Sequence, residues 1–216
     1  MISERIGNLI RARLLVVGKA LAGLGLTPNA LTVIGVVLNI AVAVVIAIGQ
    51  AQVGGALLLV ASAFDMLDGA VARATGSSSR FGGFLDSTLD RYSEAVVYGR
   101  VLIYLLNRPE DAKTGAILVF LSSAGALLIS YARARAEAAG YTASVGLAAR
   151  PERVILLALC LLINQPLWAL WVLAAVTHLT AVTRIIHVWR LSVAESDPPK
   201  PSGACLLYTS PSPRDS

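Results

Sequence analysis

Apolar runs of bilayer-spanning length alternate with short polar breaks through most of the chain. Residues 30–48 carry no charge, and residues 49–52, Gly-Gln-Ala-Gln, read as a short turn. A second apolar run covers 53–73, and a polar loop at 75–80 separates it from a third helix over 81–106. A mixed-charge loop at 108–113 leads to a fourth run, 114–131, which continues as the polar helical stretch ARARAEAAG. A short fifth run covers 154–163, Asn164-Gln165-Pro166 turns the chain, and a sixth covers 167–189. About 20 apolar residues cross a bilayer as a helix. The N-terminal residues 2–24 differ: Ile6, Leu9, Ile10, Leu14 and Val17 recur at helical spacing among Arg5, Arg11, Arg13 and Lys19. That pattern predicts an amphipathic helix lying in the membrane interface. The expected fold is an all-α integral membrane protein with six transmembrane helices preceded by an N-terminal amphipathic interfacial helix. It forms one membrane domain over 1–195. Residues 196–216 lose all periodicity and read as a disordered tail, and the last dozen resemble translated adapter sequence and are set aside.

Composition supports the membrane class. The 216 residues are 56% hydrophobic and 14% charged, where a soluble domain carries about a quarter charged residues. Mean hydropathy is +0.71. Arginine gathers in the N-terminal segment, at 73–80 and at 133–153, whereas the turns at 49–52 and 164–166 hold no charge. The positive-inside rule then places both termini and the Arg-rich loops in the cytoplasm. The chain is expected to be a multi-pass protein of the cell (plasma) membrane with its site facing the cytoplasm. Trp168, Trp171 and Trp189 bracket the sixth span as an aromatic belt. The net charge of +5 comes without a basic stripe interleaved with aromatics, so no nucleic-acid partner is expected. Cys160 and Cys205 imply no disulfide framework.

Four acids change the picture. Asp65, Asp68, Asp86 and Asp90 stand in the second and third apolar helices, at spacings of three and four that put each pair on one helix face. Unpaired charges in such surroundings cost several kcal/mol each, on the order of the penalty for any buried ion. Carboxylate-only ligand sets suit hard divalent cations, and four carboxylates are enough for two ions that clamp a phosphoryl group. Gly69 and Gly82 flank the acids, in positions where a helix normally avoids glycine, which suggests close approach to the backbone. Arg73 lies one turn beyond Gly69, where it can reach a phosphate. Read by spacing alone, the acids also fit a cation or proton transporter.

The pattern Asp65-x-x-Asp68-Gly69-x-x-Ala72-Arg73, eight residues, then Gly82-x-x-x-Asp86-x-x-x-Asp90 resembles the signature of the CDP-alcohol phosphatidyltransferases. The resemblance implies a homodimer in the membrane lipid, two divalent ions per active site (Mg²⁺ or Mn²⁺), and displacement of CMP from a CDP-linked lipid by an alcohol. By the same resemblance Asp65, Asp68 and Asp86 would be metal ligands, and Asp90 the general base beside the second metal. Gly69, Arg73, Ser79 and Gly82 would line the CDP-lipid site, together with Asn29, Ala30, Leu31 and Thr32.

The acceptor is read from the C-terminal half. Residues 130–137, SYARARAE, with Arg150-Pro151-Glu152-Arg153 resemble the branch of the family that uses inositol phosphate. An acceptor with its own phosphate needs a second cationic pocket, for which Ser130, Arg133, Arg153 and Arg184 are the candidates. The position of Arg133 is often lysine in that branch. Arg135 and Arg150 are assigned to topology, as snorkelling cations. The expected reaction transfers a phosphatidyl group from CDP-diacylglycerol to inositol phosphate, giving phosphatidylinositol phosphate and CMP. Glycerol phosphate, inositol and an archaeal-type lipid donor are the alternatives. The glycerol-phosphate branch usually reads Asp-Pro-x-Ala-Asp-Lys where this chain has Asp86-Ser87-Thr88-Leu89-Asp90-Arg91.

Overall fold

The computed structural model describes residues 16–77 and 79–196. Among the described residues, a helical stretch at 16–23 is followed by six helices: α1 (Pro28–Ala47), α2 (Ala51–Thr75), α3 (Arg80–Leu106), α4 (Ala112–Ala138), α5 (Arg150–Leu162) and α6 (Pro166–Ser196). No strand occurs among the described residues. Four of the helices, α1, α2, α4 and α6, are long and apolar enough to cross a membrane. The charges of α3 keep it out of that set. The 13 residues of α5 rise only about 20 Å, less than the roughly 30 Å of a bilayer core. Residues 2–15 of the expected interfacial helix lie outside the described residues, as do residues 197–216 of the expected tail. Residues 16–23 are helical. Gly18 lets this stretch touch the α2 backbone, since a Cβ there would sit 2.8 Å from the carbonyl carbon of Ala70.

Local signals set the helix ends. Thr27 caps α1, its Oγ1 accepting from the Ala30 N–H at 3.2 Å, and Pro28 takes the first turn. Gly76, at φ +63°, closes α2 in the left-handed conformation that glycine adopts without strain. Ser79 caps α3 by accepting from Gly82 N–H at 2.9 Å. Glu152 accepts from the Ala149 N–H at 2.9 Å and fixes the start of α5. Two helices run further than hydropathy predicts. α4 absorbs the polar stretch to Ala138, and α6 continues past Trp189 to Ser196. No Gly or Pro interrupts either extension, so hydrogen bonding carries the helix on after the apolar face ends.

α1 packs on α2 and α3, α2 on α5, α3 on α4, and α4 and α5 on α6. The tightest packing lies at one end of the bundle, where Ile46, Leu105, Leu161 and Leu170 are fully buried. There α2 and α5 meet backbone to backbone, because a Cβ on Gly55 would sit 2.7 Å from the Ala158 carbonyl oxygen. The outer faces stay apolar, with Val37, Phe120 and Ile185 exposed along with all three tryptophans. The other end of the bundle gathers the N-terminus of α1, the acidic segments of α2 and α3, the end of α4 and the start of α5.

Candidate active site

Three helices set the acids in place. α2 carries Asp65 and Asp68 one turn apart, α3 carries Asp86 and Asp90 one turn apart, and α1 packs against both helices. The partners of the α2 acids come from α1, from α2 itself and from α5. Thr32 Oγ1 lies 2.9 Å from Asp68 Oδ2, and the Gly69 N–H donates to Asp68 Oδ1 at 2.5 Å. Gly35 of α1 faces Asp65 so closely that a Cβ there would fall 2.5 Å from Asp65 Oδ1.

The cation between the acids belongs to the protein. Arg150 donates from Nη2 to Asp65 Oδ2 at 2.9 Å and pairs through Nη1 with Asp90 Oδ1 at 2.8 Å. Arg91 pairs with Asp90 at 3.7 Å and donates to Ser130 Oγ. As they stand, no three Asp, Glu, His or Cys side chains among the described residues converge on one point. Arg150 holds Asp65 and Asp90, while Thr32 and Gly69 hold Asp68. The donor chemistry nevertheless fits a hard divalent ion: carboxylates and a hydroxyl, with no thiol or imidazole. A guanidinium seated on two of the carboxylates shows that the position attracts positive charge.

Two cavities meet at these acids. The first, about 190 Å³, is lined by Asn29, Thr32, Asp68, Gly69, Ser79 and Gly82, and by Asp86. A Cβ on Gly82 would lie 3.0 Å from Ser79 Oγ and 3.2 Å from Asn29 Oδ1, so glycine there keeps the backbone open to the cavity. Arg73 lies over Gly69, its Nη1 3.2 Å from where a Cβ would be. Three expected members of this set, Arg73, Leu31 and Ala30, do not line it. Leu31 is a core residue at 2% exposure, and Ala30 only offers its N–H to the Thr27 cap.

The second cavity, about 600 Å³, is lined by Asp86, Asp90, Ser130, Arg133, Arg150 and Arg153, with Arg184. All four residues expected at an acceptor site therefore reach one space. Their bonding differs. Arg133 makes an exposed pair with Glu137 at 2.8 Å. Arg184 donates to the carbonyls of Val145 and Ile129 at 3.0 and 2.7 Å. Arg153, at 3% exposure, is taken up by Glu94.

A family model described as CDP-alcohol phosphatidyltransferase matches residues 25–196. The chain belongs to this family. Among curated members, it is 38% identical over 170 residues to an archaetidylinositol phosphate synthase of Pyrococcus horikoshii, covering 78% of this chain and 87% of that one. It is 34% identical over 203 residues to a phosphatidylinositol phosphate synthase of Corynebacterium glutamicum, covering 89% and 91%. The crystal structure of Mycobacterium tuberculosis phosphatidylinositol phosphate synthase (PgsA1) with CDP-DAG bound aligns with a TM-score of 0.76 at 31% identity, covering 82% of this chain and 93% of that one. The same mycobacterial protein in complex with manganese and citrate aligns with a TM-score of 0.75 at 30% identity, covering 82% and 88%. The chain is thus an enzyme, a phospholipid-making transferase of the CDP-alcohol phosphatidyltransferase family, and the acids lie within the region the family model matches.

Around the family motif the fold adds members that reading the sequence passed over or set aside. Arg150, assigned to topology, sits at the centre of the carboxylates. Glu94 and Arg91 tie the acid cluster to the second cavity. Glu94 carried a signal, since an acid in an apolar helix needs a partner. Gly35 carried none, because its role depends on which helix faces Asp65.

Proposed function

We propose that the chain transfers the phosphatidyl group of CDP-diacylglycerol to a hydroxyl of inositol phosphate, giving phosphatidylinositol phosphate and CMP. The observation that carries this reading is the wall shared by the two cavities. Asp86 borders both. One side offers glycines and hydroxyls to a pyrophosphate. The other gathers Arg133, Arg150, Arg153 and Arg184, a cationic space suited to an alcohol that brings its own phosphate. The names of the relatives support the same acceptor, and the archaeal relative's name leaves an archaeal-type lipid as the second reading for the donor.

In this reading Asp65, Asp68 and Asp86 would hold divalent ions, two per site and either Mg²⁺ or Mn²⁺, with Asp90 beside the second. When bound, such ions neutralise charge on the attacking and leaving oxygens of a phosphoryl transfer. The protein does the rest. Asn29, Thr32, Ser79 and the backbone at Gly69 and Gly82 orient the CDP group, with Arg73 at the rim. Arg133 and Arg184, with Ser130, orient the acceptor phosphate. Asp90 takes the proton of the acceptor hydroxyl. That oxygen forms a bond to the phosphorus next to diacylglycerol, and the bond from that phosphorus to the CMP oxygen breaks.

All six helices cross the membrane in this proposal. α3 turns its charges into the bundle, and short α5 is accommodated by local thinning. The protein is a homodimer of the plasma membrane with both cavities open to the cytoplasm, and residues 1–195 form its single domain. The test is CMP release by purified protein with CDP-diacylglycerol and a divalent ion, comparing inositol phosphate, inositol, glycerol phosphate and serine. Inositol phosphate is expected to give the highest kcat/KM by at least about tenfold, a 1.4 kcal/mol preference. A higher value for another alcohol overturns the acceptor. CMP release that survives chelation overturns the metal.

A further inference from the structure

Arg150 is the first residue of α5 and the bridge between two other helices. Its Nη2 holds Asp65 of α2 at 2.9 Å, and its Nη1 holds Asp90 of α3 at 2.8 Å. Two observations mark this contact as displaceable. Arg150 Nε is buried without a hydrogen-bond partner. Arg153, three residues on, instead places Nε and Nη2 on Glu94 and Nη1 on the Ala148 carbonyl. A buried N–H left unmet is unfavourable, so the bridge is less satisfied than its neighbour. The Arg150 side chain also lines the acceptor cavity of about 600 Å³, which gives it room to move without repacking a helix.

Asp65 Oδ2 and Asp90 Oδ1 cannot be held by a guanidinium and coordinate a divalent ion at 2.0–2.6 Å at once, distances typical of Mg²⁺ and Ca²⁺ to oxygen. We infer that Arg150 is a built-in counter-cation that competes with the divalent metal for Asp65 and Asp90, and that metal binding displaces it into the acceptor cavity. The inference rests on the proposal that Asp65 is a metal ligand. It has a consequence for order. Displacement frees the charge of Arg150, which already lines the acceptor cavity, from its two carboxylates, so a metal-loaded site attracts a phosphorylated acceptor more strongly than a metal-free one. By linkage, the acceptor tightens metal binding by the same factor.

The test uses the full chain in detergent, titrated with Mn²⁺ alone, with free Mn²⁺ read by electron paramagnetic resonance. Arg150→Gln is expected to bind Mn²⁺ about tenfold tighter than the parent chain, since a competing cation is gone. Arg150→Lys keeps the charge but loses the two-pronged bridge, and is expected to fall between the two. With chelator present, Arg150→Gln should melt below the parent chain, and the gap should close at saturating Mn²⁺. Unchanged Mn²⁺ affinity in Arg150→Gln, a lysine variant that matches the parent, or a melting deficit that persists with Mn²⁺ each overturns the inference. Asp65→Asn separates the two readings. If it leaves Mn²⁺ affinity unchanged, the metal assignment fails and the competition with it. If it weakens Mn²⁺ binding while Arg150→Gln has no effect, only the counter-cation fails.

Discussion

Glu94 holds Arg153 with both carboxylate oxygens, Nε to Oε1 at 2.8 Å and Nη2 to Oε2 at 3.0 Å. The pair joins α3 to α5 beside the acceptor cavity, and Arg153 is 3% exposed. Removing one partner of a buried ion pair strands the other, at a cost of about 3–5 kcal/mol. Glu94→Ala is therefore expected to lower the melting temperature in detergent by roughly 10 °C, at the few degrees per kcal/mol typical of this chain size. Arg153→Ala is expected to act in the same way, through stability before acceptor affinity. Melting curves of both variants that overlay the parent's would show the pair to be dispensable.

Asp90 faces the acceptor cavity and pairs with Arg150 and Arg91. If it takes the proton of the attacking hydroxyl, Asp90→Asn keeps the shape and loses the base. CMP release should fall by about 10³-fold, within the range general bases contribute. Binding of CDP-diacylglycerol, measured by equilibrium methods, should change by less than about threefold, because the CDP cavity is lined by other residues. Turnover near the parent rate assigns the proton to another group.

Gly35 tests the α1–α2 contact. A Cβ at this position would lie 2.5 Å from Asp65 Oδ1. That oxygen ends a side chain that can rotate, so Gly35→Ala should turn the carboxylate aside and leave the helices in place. The expected result is an activating Mn²⁺ concentration raised about tenfold, equivalent to 1.4 kcal/mol, with a melting temperature within roughly 2 °C of the parent. A large melting shift with unchanged metal dependence would place the contact in packing alone.

The sequence made the acidic half of the site legible, because carboxylates in an apolar helix have few explanations and their spacing fixes a common face. Asp86 and Asp90 reached the second cavity as that spacing requires. The helix ends rest on local signals as well, with Thr27 and Ser79 capping and Gly76 stopping their helices. The arginines were not. Arg150 and Arg153 lie on one short helix within three residues of each other, yet one meets Asp65 and Asp90 and the other Glu94. Positive-inside statistics place both at the same surface and cannot say which carboxylate each finds. The pairing is set by how α5 packs on α2, a contact that rests on Gly55 and carries no local signal.

The acceptor phosphate leaves a choice among arginines, and their present partners decide it. Arg153 is neutralised by Glu94. Arg133 is held by Glu137 in an exposed i,i+4 pair, a contact worth about 0.3–0.5 kcal/mol. A dianionic phosphate outcompetes that contact easily, so Arg133 is free to turn into the cavity it already lines. Arg184 is fixed by the Val145 and Ile129 carbonyls and presents its charge from a set position. Arg133→Ala should then raise KM for inositol phosphate about tenfold, the scale of one charge-assisted contact. KM for CDP-diacylglycerol should stay unchanged. Arg133→Lys should restore most of the loss, since charge matters more than fork geometry at a mobile contact. With unphosphorylated inositol the same variants should differ little from the parent. An equal loss on inositol and on inositol phosphate would mean that Arg133 supports the fold of the cavity and does not meet the phosphate.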